Sequence, residues 1–225
     1  MKPLSQRLLT IATLVPHGAR VCDIGCDHGY LAIYLRLQNI ASSVIAADLN
    51  ELPLKRAEAN IKKLNADNID LRLCDGLSGI EKHEVDTVII AGMGGNVISG
   101  IIERSEFSKN KDLTFILQPT TSAEALREFL CENGFEIITE TPVFENNKLY
   151  SVMVVRFKNQ TKAYPVGFYY VGKISPDTEN GIKYIKKQQK RLLDAANALE
   201  NISEKQADYT HFKSAYDYIT NILTE

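Results

Sequence analysis

The chain has 225 residues, of which 44% are hydrophobic, with a formal net charge of −2. It is long enough to bury a substantial core, as one large domain or one domain with an appendage. No global charge advertises nucleic-acid binding, so a nucleic-acid partner requires a local basic patch.

The four cysteines (Cys22, Cys26, Cys74 and Cys131) lack C-x-x-C spacing, which favours reduced thiols in a cytoplasmic protein over disulfides or zinc. Leu4, Leu8, Ile11 and Val15 recur at helical spacing, so the N-terminus reads as a docked amphipathic helix rather than a leader. No segment reaches the roughly 20 apolar residues of a membrane span. Five strands follow in chain order: Arg20–Ile24, Val44–Asp48, Ile69–Cys74, Val85–Ala91 and Leu113–Gln118. Each is short and dense in β-branched or apolar residues, as strands covered on both faces must be. Helical patterns separate them at Tyr30–Gln38, Leu54–Leu64, Asn96–Arg104 and Ser122–Asn133, with Ser122 as a plausible cap. This alternation predicts a doubly wound α/β sheet with right-handed crossovers.

Phe135–Phe144 and Tyr150–Phe157, joined by a polar turn at 145–148, then read as a β-hairpin in place of a sixth parallel strand. That layout is the Rossmann-like class I methyltransferase sheet of seven strands. Pro142 puts the first hairpin strand near an edge or a bulge. Residues 159–172 read as a linker, and Ser175-Pro176 as the cap and first residue of a long helix. Two apolar stripes follow: Ile182, Ile185, Leu192, Ala196 and Leu199, then Tyr209, Phe212, Tyr216, Ile219 and Leu223. With a capping-box pattern at Ser203–Gln206 between them, they predict a coiled-coil-like antiparallel helical hairpin. The expected domains are 1–158, binding a cofactor, and 159–225, the helical hairpin.

The stretch VCDIGCDHGY at 21–30 carries the chemistry: a strand, an acid (Asp23), Gly25, a polar loop, Gly29 and at once a helix. It is not G-x-G-x-x-G, because Cys26, Asp27 and His28 stand where further glycine is needed. Acid-x-Gly, with a second acid (Asp48) closing the next strand 25 positions on, fits S-adenosylmethionine better than NAD. Asp48 suits ribose hydroxyls, with a helix-capping acid as the alternative. Asp75, in Cys74-Asp75-Gly76, sits where an adenine amino group would be read, or is a plain Asp-Gly turn. Ala91-Gly92-Met93-Gly94-Gly95 follows the fourth strand at the edge where open α/β sheets bind ligands. Gln118-Pro119-Thr120 lies at the same edge, as a ligand contact or a strand-ending turn. His28 reads mainly as a loop-orienting residue. Cys22, Cys26 and His28 do not make a metal site, since Cys22 lies within the strand and no fourth ligand is evident.

Ser5-Gln6-Arg7-Leu8, Asp23-Ile24-Gly25-Cys26-Asp27-His28, Ala91-Gly92-Met93-Gly94-Gly95, Leu117-Gln118-Pro119 and the helical extension together resemble the bacterial tRNA (adenine(22)-N(1))-methyltransferases. The resemblance covers nearly the whole chain. It implies S-adenosylmethionine as donor, a tRNA adenine as acceptor, and Asp27 as the catalytic candidate. Cofactor contacts are expected at Asp23, Gly25, His28, Asp48, Leu49, Asp75, Gly76, Gly92 and Met93, and acceptor contacts at Gly94, Gly95, Gln118 and Pro119. Two positions depart from the family pattern: Gly29, where Ala is frequent, and Thr120, where Gln-Pro-Asn is usual.

Lys183, Lys186, Lys187, Lys190 and Arg191 fall on one helix face and are candidates for tRNA phosphates, with Lys2 and Arg7 extending them. A solvated basic face is the alternative. Two other functions remain open: methyl transfer to a different acceptor, or a non-catalytic S-adenosylmethionine-binding module.

Overall fold

The computed structural model describes residues 3–224, so Lys2 lies outside the described residues. Helix α1 (Gln6–Leu14) opens on Ser5, whose hydroxyl accepts the Leu8 N–H, and it buries Ile11 and Ala12. Strands β1 (Ala19–Ile24), β2 (Ala41–Asp48), β3 (Ile69–Leu73), β4 (Thr87–Gly94) and β5 (Thr114–Thr121) alternate with α2 (Tyr30–Leu37), α3 (Glu51–Leu64), α4 (Gly95–Arg104) and α5 (Ala123–Glu132). The hairpin β6 (Phe135–Glu145) and β7 (Lys148–Phe157) completes a seven-stranded sheet in the order β3-β2-β1-β4-β5-β7-β6. Only β7 runs antiparallel to its neighbours.

The apolar runs of the central strands divide between two faces by strand alternation. Cys22, Ile24, Val88, Ile90, Phe115 and Leu117 join the core under α4 and α5, while Val21, Ile89 and Ile116 join the core under α1 and α2. Because β1 to β5 are parallel, the strand order reverses between β1 and β4 and leaves a crevice at their carboxyl ends.

Several local expectations change. The glycine run is not wholly a loop: β4 continues through Gly94, with register shifts at Ala91/Met93 and Met93/Gly94, and α4 starts at Gly95. Ser122 precedes α5 with φ of 52° and makes no side-chain cap bond. The hairpin turn is tighter than the sequence reading, with only Asn146 (φ 50°) and Asn147 (φ 59°) between the strands. A two-residue turn with both φ positive matches the right-handed strand twist. Pro142 lies in the edge strand β6, opposite Ser151.

The supposed linker contains α6 (Val166–Val171), with Phe168, Tyr170 and Val171 buried. Six residues are too few to show a helical period, and tertiary packing stabilises them. Helix α7 (Glu179–Leu199) starts later than Ser175-Pro176 implied: Thr178 caps it by accepting the Gly181 N–H at 3.0 Å. Ser203–Lys205 forms one turn of 3-10 helix leading into α8 (Gln206–Thr224). Ile185, Leu192, Ala196 and Ile219 are buried as the stripes required, but Ile182 is exposed. The hairpin core is completed by α6, through Tyr170 and Val171, so the C-terminal unit has three helices rather than a bare two-helix seam. Among the described residues, no helix is long and apolar enough to cross a membrane.

The two halves of the chain share one buried polar cluster. Arg127 of α5 donates through Nε to Glu140 of β6 at 3.1 Å, through Nη1 to the Tyr169 carbonyl at 2.6 Å and through Nη2 to the Tyr184 hydroxyl at 3.0 Å. Both charged side chains are completely buried. Burial works against the Arg127 charge, but Glu140 and Tyr184 more than reverse that and hold its pKa above the ordinary value.

Candidate cofactor and acceptor site

The loop after β1 is anchored to β2, the Gly25 and Cys26 N–H groups donating to the Ala47 carbonyl at 2.8 and 3.0 Å. Gly29 has φ of 70°, and a Cβ there would stand 2.9 Å from the Ala57 Cβ on α3. The departure from the family alanine therefore matches a backbone conformation and a close approach that favour glycine in this chain. The loop borders a cleft of about 260 Å³ lined by Arg7, Asp23, Gly25, Asp27, His28, Tyr30, Ala91 and Gly92, among others. A hollow of about 220 Å³ between Cys131 and Phe168 contains none of the strand-end acids. The chemistry favours the cleft.

Asp23 is 4% exposed, and its carboxylate makes no hydrogen bond or ion pair within the described chain. Burial, followed by the charge of Asp48, raises its pKa to about 7. A buried acceptor of this kind at the wall of a cleft suits a cationic donor. Asp48 closes β2, and its Oδ1 accepts the Asn50 N–H at 2.9 Å, so one oxygen already shapes the entry to α3. The N-cap of α3 is Asn50, so Asp48 shapes the turn before the helix and does not cap it, and its other oxygen remains for a ligand contact. Leu49 beside it is 64% exposed.

Asp27 projects outward, its side chain 70% exposed and its Oδ1 3.6 Å from His28 Nε2. The His28 ring stacks on Tyr30 at 5.6 Å, and its carbonyl accepts from Asn60 Nδ2 at 3.0 Å. This fits the loop-orienting reading of His28. Asp75 is less integrated: it pairs with Arg104 at 3.4 Å in an exposed position and borders a separate hollow beside α4. Gly76 packs close to Ile101 of α4.

At the end of β4, Met93 lies against Gly25, joining the β4 end to the β1 loop. Gln118 is fully buried, and its Oε1 accepts both the Gly92 N–H at 3.1 Å and Arg7 Nη1 at 2.5 Å. The Thr120 hydroxyl donates to the Met93 carbonyl at 3.0 Å, a contact that ties the strand ends together from the position where the family has Asn. Gly94 lies 3.1 Å, by its would-be Cβ, from the Thr121 hydroxyl, and Gly95 abuts the Ser122 carbonyl. These two are packed between strand ends, while Gly92 is the glycine that borders the cleft.

Arg7, expected with the basic stripe, is turned inward with a side chain 22% exposed. Sequence reasoning missed its partners, Glu145 and Tyr150, and it also missed Tyr30. Tyr30 follows the glycine loop directly and had a positional signal. Glu145, 138 residues from Arg7, had none.

The five basic residues of α7 are all exposed. Lys183 pairs with Glu179 and Arg191 with Glu124, whereas Lys186, Lys187 and Lys190 have no ion-pair partner among the described residues. Lys187 and Arg191 border a groove of about 270 Å³ whose other wall is Pro119–Glu124 with Tyr150, so the stripe runs towards the end of β5.

Residues 4–153 match the family model described as a methyltransferase domain. The tRNA (adenine(22)-N(1))-methyltransferase of Bacillus subtilis (strain 168) is 35% identical over 208 residues, which are 89% of this chain and 86% of that protein. The crystal structure of the B. subtilis m1A22 tRNA methyltransferase superposes with a TM-score of 0.87 at 26% identity, covering 99% of each chain. A Streptococcus pneumoniae structure, described as a putative tRNA (m1A22) methyltransferase in complex with S-adenosyl-L-methionine, gives a TM-score of 0.78 at 29% identity, covering 95% of this chain and 100% of that one. With a methyltransferase domain over most of its length and a relative matched nearly end to end, the chain belongs to the tRNA (adenine(22)-N(1))-methyltransferase family.

Proposed function

We propose that this protein transfers a methyl group from S-adenosylmethionine to N1 of an adenine in tRNA, the base at position 22. The observation that carries this is the 35% identity to the B. subtilis enzyme across 89% of the chain. The cleft fits the cofactor: a buried Asp23 carboxylate without a partner faces it. When bound, S-adenosylmethionine supplies an electrophilic methyl group on a sulfonium.

Asp23 would accept from the ammonium end of the cofactor, and the second oxygen of Asp48 would accept from its ribose. Leu49, Asp75 and Gly76 would hold its adenine, Asp75 through the carboxylate that now pairs with Arg104. Gly25 and His28 would line its seat, with Met93 packed behind Gly25. On the acceptor side, adenine N1 carries a lone pair at neutral pH, so no deprotonation precedes attack. The protein's main task is to hold a near-attack geometry. Positive charge then develops on the base, and Asp27, exposed at the rim, stabilises it. Since N1 lies on the Watson–Crick edge, a paired target must first be unpaired or flipped, at a cost of a few kcal/mol.

The parts of the chain divide the work: residues 1–158 hold the cofactor, and 159–225 contact tRNA through the α7 lysines. The buried cluster around Arg127 couples the two, so neither is independent of the other. The setting is the cytoplasm, where unmodified tRNA is available. Incubation with labelled S-adenosylmethionine and unmodified bulk tRNA tests the reading. Label in tRNA supports it, and cofactor binding without label in tRNA refutes it.

A further inference from the structure

The end of β4 is irregular in a way that involves α1. Ala91 pairs with Gln118 and Met93 with Pro119, so Gly92 bulges out of the ladder with φ of 81°. Pro119 has no N–H to continue the ladder. The Gly92 N–H is instead accepted by the Gln118 side chain at 3.1 Å, and Gln118 Nε2 donates to the Pro119 carbonyl at 2.7 Å. This explains why a glutamine precedes the proline: its amide replaces the missing ladder bonds.

The amide works in one orientation only. Turned over, it would set its NH2 against both the Gly92 N–H and the Arg7 guanidinium. Arg7 Nη1, 2.5 Å from Gln118 Oε1, selects the working orientation. Arg7 is in turn fixed by the hairpin: its own N–H donates to Glu145 Oε2 at 2.8 Å, Nε lies 3.8 Å from Glu145 Oε1, and the guanidinium sits 6.0 Å over the Tyr150 ring. A cation placed directly on a base that gains positive charge would oppose methyl transfer. Glu145 offsets that charge, and the Nη1 donor is spent on Gln118.

We propose that Arg7 is a positioning residue for methyl transfer, acting through Gln118 to hold the Gly92 bulge that walls the cleft. This rests on the function proposed above. A wall displaced by about 1 Å costs on the order of 10²-fold in rate when near-attack geometry is at stake.

The test is single-turnover methylation of tRNA by the full chain, with S-adenosylhomocysteine affinity by calorimetry and tRNA affinity across a salt series. Arg7→Ala should lower the rate about 50-fold, with both affinities within about threefold and the salt slope unchanged. Arg7→Lys, which keeps one donor but loses the fork, should recover about tenfold of that. Arg7→Ala combined with Gln118→Ala should be no slower than the slower single variant, because the two act as one unit. A wild-type rate in Arg7→Ala, additive losses in the double variant, or a salt slope that flattens with the rate would each overturn the proposal. The last would make Arg7 a phosphate contact. Should Arg7→Ala fail to fold, Arg7→Lys decides: a rate about fivefold down at unchanged affinities supports the role, and a wild-type rate removes it. If the wild-type protein itself does not methylate tRNA, the proposed function fails, independently of Arg7.

Discussion

Arg127 and Glu140 form a fully buried ion pair where the sheet, α5 and the C-terminal helices meet. Glu140 Oε2 also accepts the Lys173 N–H at 3.1 Å, and Arg127 reaches Ser151 of β7 at 3.4 Å. Every charged atom of the pair is therefore satisfied, with three of the four further partners lying beyond residue 158. Glu140→Gln leaves the guanidinium buried and uncompensated, which should cost at least about 3 kcal/mol in denaturant unfolding. Replacing both partners with apolar residues, Arg127→Met with Glu140→Leu, should cost less than the single change. A single variant as stable as the parent would show that the pair is not what joins the halves.

Asp23 gives a pH dependence whose sign is set. Its pKa is about 7 in the folded chain, against about 3.9 for an unfolded aspartate. The native state then holds the proton more tightly. The stabilising contribution is full below about pH 4 and is lost as pH rises through about 7. Asp23→Asn should leave stability nearly unchanged at pH 4, raise the cofactor-free Tm at pH 8 by about 3 °C or more, and weaken S-adenosylhomocysteine binding. Equal Tm for the two proteins at pH 8 would show that Asp23 is not destabilised by its charge.

Asp27 and Asp48 should separate by readout. Asp27→Ala is expected to reduce the single-turnover rate about 10²-fold with little change in cofactor affinity. Asp48→Asn keeps an acceptor for the Asn50 N–H, so it tests the ligand contact without dismantling the turn. It should raise the cofactor Kd at least about tenfold, or about 1.4 kcal/mol. Parallel collapse of rate and cofactor binding in Asp27→Ala would make it a cofactor ligand.

For the basic face, Lys186, Lys187 and Lys190 are the informative positions, because Lys183 and Arg191 already have acidic partners. Changing the three to Gln should weaken tRNA binding and reduce the salt slope by about two to three units, with stability unchanged. An unaltered slope would reduce the stripe to a solvated helix face.

The doubly wound sheet was legible because β1, β4 and β5 are short apolar runs that only two covering layers can accommodate. The strand-end acids were legible for a topological reason: parallel strands deliver Asp23, Asp48 and Gly92 to one edge whatever the side-chain detail. Helix α6 was not legible, since six residues carry no period and Gly167 is there to admit Tyr218 of α8. The links from Arg7 to Gln118 and from Arg127 to Glu140 were not legible either. They depend on side-chain geometry between elements, and Arg7 and Gln118 stand 111 positions apart. The start of α7 was misplaced because Ser175-Pro176 and Thr178 both offer caps, and only Thr178 reaches a free helical N–H.

The most direct measurement is to map the modified nucleotide. An unmodified tRNA bearing adenine at position 22 is incubated with the protein and S-adenosylmethionine, then read by reverse transcription, which halts at a base methylated on its Watson–Crick edge. The proposed function predicts one new stop at adenine 22, absent when that base is guanine and absent without the cofactor. Methylation at another nucleotide, or a tRNA that stays unmodified while the protein binds the cofactor, would contradict it.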